Sequence, residues 1–430
     1  MQLDSAFWII LTGSLASASC ALLGTFLVLR KMSLLGDALS HAVLPGIAIA
    51  FLLSDSRAIL PMFVGAALCG LLTTLLIEAF HRKWNVQEDA SIGIVFTALF
   101  ALGVVLVTAY AGQVDLDQEC VLYGEIAYTP WDTLIWNGVD VGPRPVWILG
   151  VVFILNMLFV CTLYKELKIA SFDSAMAMAV GVNATLIHYL LMGMVSLTTV
   201  AAFESVGAIL VVAMFIVPGA SAYLWSDRLV TILCLAVLFG VLSAWVGYWI
   251  AGIWDSSIAG AIVTVAGAIF LLSLLFSPNQ GVIARLWQRA TLSVQVAQDH
   301  MLLALVRRFE VDETHRSSRE ELLQAASVSH LVSRLALRSL EKSRLVVHDS
   351  QGWVLAAGGK QEALRLLRNH RLWETYLSGL GLPENRVHGP ADAVEHFIGR
   401  QLAAELGAEV DQSMDPQGKR IPLSLSLIHI

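Results

Sequence analysis

Charged side chains are scarce in this sequence. Asp, Glu, Lys and Arg make up 14% of its 430 residues, against 57% hydrophobic, whereas a soluble domain carries about 25% charged residues. That balance excludes a wholly water-soluble chain and a disordered one, and points to a protein that is largely embedded in a membrane. Cysteine is sparse as well. Cys20, Cys69, Cys120, Cys161 and Cys234 form no C-x-x-C pair, which argues against a zinc knuckle or a disulfide framework and leaves them as small packing residues. No G-x-x-x-x-G-K-[ST] phosphate loop occurs, so the chain is not its own ATP-driven motor. The opening MQLDSAFWIILTGSLASASCALLGTFLVLR lacks a basic n-region and has an apolar run long enough to span a bilayer, which makes it a retained first helix. The net charge of -7 says little about partners, because the charges crowd into the last third of the chain.

What is present is a series of apolar stretches near 6–29, 37–54, 59–80, 90–111, 146–164, 184–203, 205–225, 229–251 and 256–276, giving eight or nine spans. Basic residues cluster at Arg30/Lys31, at His81/Arg82/Lys83, at Lys165/Lys168 and from Arg285 onward, while Asp115, Asp117 and Glu119 share an acidic loop. The positive-inside rule then prefers nine spans, with the N-terminus outside and the C-terminus inside. Two stretches work against a simple count. VLYGEIAYTPWDTLIW reads as a re-entrant alternative, and Pro218 and Gly219 interrupt the 205–225 segment.

After Pro278 the composition changes to that of a soluble protein. The pattern predicts helices at 297–310, 318–326 and 328–342, two strands around the turn Asp349-Ser350-Gln351-Gly352, and helices at 361–379 and 390–406. Three helices and a hairpin make a winged helix-turn-helix. The expected division is a transmembrane domain over 1–280, a linker over 281–296, the winged domain over 297–358, a further helical domain over 359–422, and a tail, 423–430, of doubtful significance. The fold class is thus an all-α polytopic membrane domain joined to a cytosolic winged helix-turn-helix and a small helical domain.

Ionisable residues inside an apolar run are costly and default to a functional role. In SLLGDALSHAVLPG, Asp37 and His41 are four apart and project from one helical face, where an oxygen and an imidazole nitrogen suit Mn2+, Fe2+ or Zn2+. The bland alternative makes Asp37 a helix cap and His41 a core histidine. Glu204, in AAFESVGAIL, reads equally as a pathway or entrance carboxylate and as a surface loop residue; His188 reads as structural. In the soluble part, His370 and Glu374 are four apart on one helix, Asp392, Glu395 and His396 fall at i, i+3 and i+4 on another, and His388 lies just before that second helix. That collection of oxygen and nitrogen donors suits a first-row divalent cation. The segment with Lys165, Glu166, Lys168 and Asp173 before the small-residue run AMAMAVGV suits docking to a soluble partner, with a plain interfacial helix as the alternative. The recognition-helix region SVSHLVSRLALRSLEKS offers His330, Ser333, Arg334 and Arg338 for DNA contact, a modest basic surface.

Three segments, RKMSLLGDALSHAVLPGIAIAFLL, YKELKIASFDSAMAMAVGVN and VGAILVVAMFIVPGASAYLW, resemble in order the permease subunits of bacterial ABC importers for manganese, zinc and iron, over roughly residues 5–280. The resemblance implies a type II importer permease in the bacterial inner membrane, with Asp37 and His41 on the ion path. It makes Lys165, Glu166, Phe172 and Asp173 part of a segment that couples to a separate ATP-binding cassette ATPase. An extracytoplasmic metal-binding protein and a second permease chain are the other implied partners. HRLWETYLSGLGLPENRVHGPADAVEH, with the winged helix before it, resembles the diphtheria-toxin repressor and manganese repressor family over about 297–406. That resemblance assigns His370, Glu374 and His388 to one metal site and His300, Asp392, Glu395 and His396 to another. Asp392 favours manganese, while Leu303 stands where manganese repressors place a carboxylate. The leading reading is a non-enzymatic permease with a cytosolic metal sensor, DNA contact being secondary. The rivals are a membrane-anchored metal-dependent transcription regulator and a secondary transporter.

Overall fold

The computed structural model describes residues 2–32, 34–54, 59–110, 126–136, 139–312, 314–383, 386–394, 398–410 and 413–422. The chain divides into two compact units, Met1–Ala284 and Arg285–Ile430.

The first unit is helical. Its elements are α1 (Gln2–Leu29), α2 (Leu35–Ala42), α3 (Leu44–Ser54), α4 (Ile59–Trp84) and α5 (Glu88–Tyr110). A short hairpin of β1 (Thr133–Trp136) and β2 (Val139–Pro143) follows, then α6 (Arg144–Thr162), α7 (Tyr164–Phe172), α8 (Ser174–Ala179), α9 (Ala184–Val206), α10 (Ala208–Trp225), α11 (Leu229–Trp254) and α12 (Ile258–Phe276). Among the described residues nine segments are long and apolar enough to cross a membrane, α2 and α3 together making the second. The protein is therefore a multi-pass membrane protein.

Helix α1 is the hub, packed against α10, α11 and α6. Close approach of α1 to α10 requires Gly24, where a Cβ would run into the Phe215 carbonyl; small residues let membrane helices approach to backbone distance in this way. The core around this contact holds Leu23, Phe26, Leu27, Leu35, Leu39 and Phe215, all fully buried.

Two local breaks matter for function. The second span is split at Val43, and Pro45 occupies the first turn of α3, where its missing N–H costs nothing. The chain thereby presents α2 as a separate eight-residue helix. The other break differs from expectation. Pro218 lies inside α10 without ending it, and the interruption falls at Gly207, whose φ of +78° a residue with a side chain would adopt only under strain. The stretch read as a re-entrant alternative also differs. From Ile126 onward it is a turn of 3-10 helix (Ile126–Trp131) leading into β1, while 121–125, the acidic loop and Cys120 lie outside the described residues.

The second unit contains α13 (Val282–Val311, which begins in the last residues of the first unit), α14 (Arg319–Ala325), α15 (His330–Lys342), the hairpin β3 (Val346–Asp349) and β4 (Gly352–Leu355), α16 (Ala357–Gly379), α17 (His388–Val394) and α18 (Arg400–Glu409). The expected linker over 281–296 is instead the first half of α13. The shift from apolar to polar composition at Pro278 is a change of solvent rather than a loss of structure, since VIARLWQRATLSVQV contains no helix breaker. A capping box, with the Ser318 and Glu321 side chains each bonded to the other's backbone, starts α14. The hairpin pairs Val346 with Leu355 and Asp349 with Gly352. Met301, Leu305, Val306, Leu337, Leu340, Trp353, Leu366 and Leu367 close one core beneath this winged helix-turn-helix. The helix expected at 390–406 is two helices, because residues 398 and 399 are not helical.

Candidate functional sites

In the first unit Asp37 and His41 lie one turn apart on α2, with His41 Nε2 3.6 Å from Asp37 Oδ1. This is too long for a hydrogen bond. It is close to the ~3.4 Å separating two ligands held at about 2.1 Å on a tetrahedral ion. Both side chains are part exposed within the unit, at 46% for Asp37 and 27% for His41. The Asp37 side chain does not cap α2: the N-cap is Leu34, which has no side-chain bond, so the capping alternative has no support here. The His41 ring meets Phe100 edge-on at 5.5 Å, which orients it from the side of α5. Glu204 sits in the last turn of α9 rather than in a loop between spans; its side chain lies outside the described residues.

A second carboxylate–imidazole pair was not anticipated. His188, in the second turn of α9, places Nε2 3.1 Å from Oε2 of Glu78 on α4, and both side chains are nearly buried. Arg30, just past the end of α1, reaches His188 Nδ1 at 3.4 Å and donates from Nε to Ser171 Oγ at 3.0 Å. The reading of His188 as structural agrees with this burial, but Glu78 was passed over. The signal was available: a carboxylate in the apolar run TTLLIEAF that the desolvation argument should have singled out.

Ser171 belongs to α7, which with α8 forms a bent pair of short helices. Asp173 makes the bend, accepting from Met176 N at 2.9 Å as the N-cap of α8. Lys165 and Lys168 are exposed, Glu166 is half-buried, and Phe172, Met176, Met178 and Val180 together leave an apolar surface uncovered in this unit.

In the second unit His370 and Glu374 on α16 and His388 at the start of α17 converge. Glu374 Oε1 is 3.2 Å from His370 Nε2 and 2.8 Å from His388 Nδ1, and the two ring nitrogens are 3.2 Å apart. Among the described residues this is the group of three ligand residues able to hold a metal ion. Its edges match the ~3.0 Å between adjacent ligands at about 2.1 Å on an octahedral ion, so the residues fit a first-row cation. Burial alone would raise the Glu374 carboxyl, yet the two imidazoles more than offset it and hold the group down to about 2. Next to His370, buried Arg371 pairs with Glu310 at 2.6 Å and Asp415 at 3.4 Å, tying α16 to the end of α13 and to the 413–422 segment.

The other soluble-unit candidates fall only partly within the described residues. His300 is half-buried on α13, 3.4 Å from the Ala326 carbonyl, and Leu303 packs in the core. Asp392 lies in α17 with its side chain outside the described residues, and Glu395 and His396 lie outside them altogether. On α15, His330, Arg334 and Arg338 are exposed. Ser333 is not, because it faces the core and bonds back to Ser329 O, so it is withdrawn as a DNA contact.

Among the described residues, nine candidate spans with a carboxylate–imidazole pair beside a break in the second make a polytopic bundle of the kind transport permeases use. The chain belongs to the ABC 3 transport family, which matches residues 2–277. A second match, to the metal binding and dimerisation domain of iron dependent repressors, covers residues 357–423. The manganese transport system membrane protein MntD of Bacillus subtilis is 53% identical over 278 residues, 65% of this chain and 94% of that protein. The zinc transport system membrane protein TroD of Treponema pallidum is 39% identical over 338 residues, 79% of this chain and 90% of that protein, a match too long to end within the first unit. Among solved structures, PsaBC from Streptococcus pneumoniae in complex with Fab aligns with a TM-score of 0.53 and 32% identity, over 64% of this chain and 92% of that one. Membership makes this chain a permease, not an enzyme, and leaves both the anchor-only regulator and the secondary transporter without support.

Proposed function

We propose that this permease passes a divalent transition metal, manganese by preference, across the bacterial inner membrane, with Asp37 and His41 as transient ligands. The carrying observation is their 3.6 Å separation on one turn of α2. Two donors in a partly open setting bind a cation firmly enough to accept it and loosely enough to release it. A separate ATP-binding cassette subunit docks on the uncovered surface of α7 and α8, through Phe172 and the methionines with Lys165, Glu166 and Asp173 at its margin. A metal-binding protein delivers the cation from outside, and two permease chains pair.

The second unit is cytosolic on this reading, reached after an odd number of spans from an outside N-terminus. His370, Glu374 and His388 hold a regulatory cation there, and His300, Asp392, Glu395 and His396 form a second site. Arg371, beside His370, passes the state of that site to α13 through Glu310. Contact of His330, Arg334 and Arg338 with DNA is a subordinate role. The test is reconstitution of the chain with its ATPase and binding protein in liposomes, with uptake of Mn2+, Zn2+ and Fe2+ in competition. ATP-dependent uptake led by manganese is expected. Uptake that proceeds without ATP would contradict the reading.

A further inference from the structure

The Glu78–His188 pair has the composition of a second cation site, but Arg30 argues against one. A guanidinium 3.4 Å from His188 Nδ1 would repel a cation held by Nε2. One protonation pattern satisfies both contacts of the ring: a neutral imidazole whose Nδ1 accepts from Arg30 and whose Nε2–H donates to the Glu78 carboxylate. The neutral ring then links a cation to an anion through two charge-assisted hydrogen bonds, and the set carries no net charge in a place where an isolated charge would be costly.

The placement gives the link its meaning. Arg30 follows the end of α1, the hub of the bundle; Glu78 is near the end of α4; His188 is near the start of α9. Among the described residues the Arg30 side chain also donates through Nε to Ser171, one residue before exposed Phe172 and two before Asp173 at the bend between α7 and α8. Arg30 Nη2 is buried with no hydrogen-bond partner among the described residues, so this arrangement leaves a donor unspent that a shifted α7 can use.

The geometry points to Arg30, His188 and Glu78 as positioning residues that transmit displacement of the α7–α8 segment into α1, α4 and α9, so that ATP hydrolysis on the partner opens the ion path. This rests on the reading of α7 and α8 as the ATPase-docking segment. It places no metal on His188.

The test measures manganese moved per ATP hydrolysed by the full chain reconstituted with its ATPase and binding protein. Because glutamine can accept with its oxygen and donate with its nitrogen, H188Q keeps the bridge and H188L breaks it. H188L and R30Q are expected to lower the ratio by about tenfold or more with hydrolysis continuing, while H188Q stays within about twofold of wild type. S171A, which removes one partly buried hydrogen bond and leaves the buried charges paired, should lower the ratio by a smaller factor and covers the case in which R30Q fails to fold. If H188Q falls as far as H188L, His188 acts as a ligand or a titrating group and the proposal is overturned. It is overturned equally if H188L and S171A both keep the wild-type ratio. If wild type itself shows no ATP-dependent uptake, the docking reading fails first and this inference with it.

Discussion

Asp37 and His41 in the membrane unit stand 3.6 Å apart with both side chains part exposed, whereas His370, Glu374 and His388 in the soluble unit close to 2.8–3.2 Å around a carboxylate that is 2% exposed. The ligand chemistry is the same and the enclosure of the carboxylate differs, 2% exposed at Glu374 against 46% at Asp37, while His388, at 48%, is as open as Asp37. A buried carboxylate is kept only where partners offset a desolvation cost of several kcal/mol, which the two imidazoles do at Glu374; on the proposed function this enclosed carboxylate is what lets the soluble site keep its cation. The α2 pair makes no such commitment, which is what transit demands. Glu78 and His188 are a third use of the same two groups, in which a guanidinium takes the place where a metal would compete.

The comparison is broken first by removing a pathway ligand. Asp37→Ala or His41→Ala should lower manganese uptake about 100-fold, the effect of raising the transit barrier by about 3 kcal/mol, with the protein still in the membrane. Next, Glu374→Ala should weaken manganese retention by the soluble unit by at least the about 10–100-fold that losing a mere outer-shell partner costs, measured by dialysis of the full chain in detergent. Acid sharpens the contrast further. Because the Glu374 carboxyl is held down to about 2, below its ordinary 4.5, its contribution to stability is present above about pH 4.5 and is lost as the pH falls toward 2. Hydrogen exchange of α16 and α17 in the metal-free chain should therefore speed up over that window, and Glu374→Gln should flatten the change. The smallest effect on transport is expected at α15. Replacing Arg334 and Arg338 by Ala should leave uptake unchanged and lower the salt slope of any duplex DNA binding by about 2, the share of two phosphate contacts.

Much of this was readable from the sequence. Apolar runs of span length are set by bilayer thickness, so the nine candidate spans among the described residues fall where the runs predict. The i, i+4 spacings of Asp37/His41 and His370/Glu374 are a property of one helix turn and needed no tertiary information. What pattern could not supply came from contacts between elements. Gly207 rather than Pro218 breaks the chain, because a proline deep in a bundle is tolerated while a positive φ is not negotiable. Glu78, Arg30 and Ser171 are far apart in sequence, and only packing of α1, α4, α7 and α9 brings them to His188. The burial of Ser333 shows the limit of choosing DNA contacts by residue type, since on a helix the facing side decides, and that side faces the core.

The central claim is that one unit passes the cation and the other keeps it. The most direct measurement compares, on the same preparations, manganese uptake and manganese retained after dialysis for wild type, the Asp37→Ala/His41→Ala double variant and the Glu374→Ala/His388→Ala double variant. The first double variant is expected to lose uptake and retain manganese as wild type does, and the second to lose retained manganese and still support uptake. Undiminished uptake by the Asp37→Ala/His41→Ala protein would contradict the central claim.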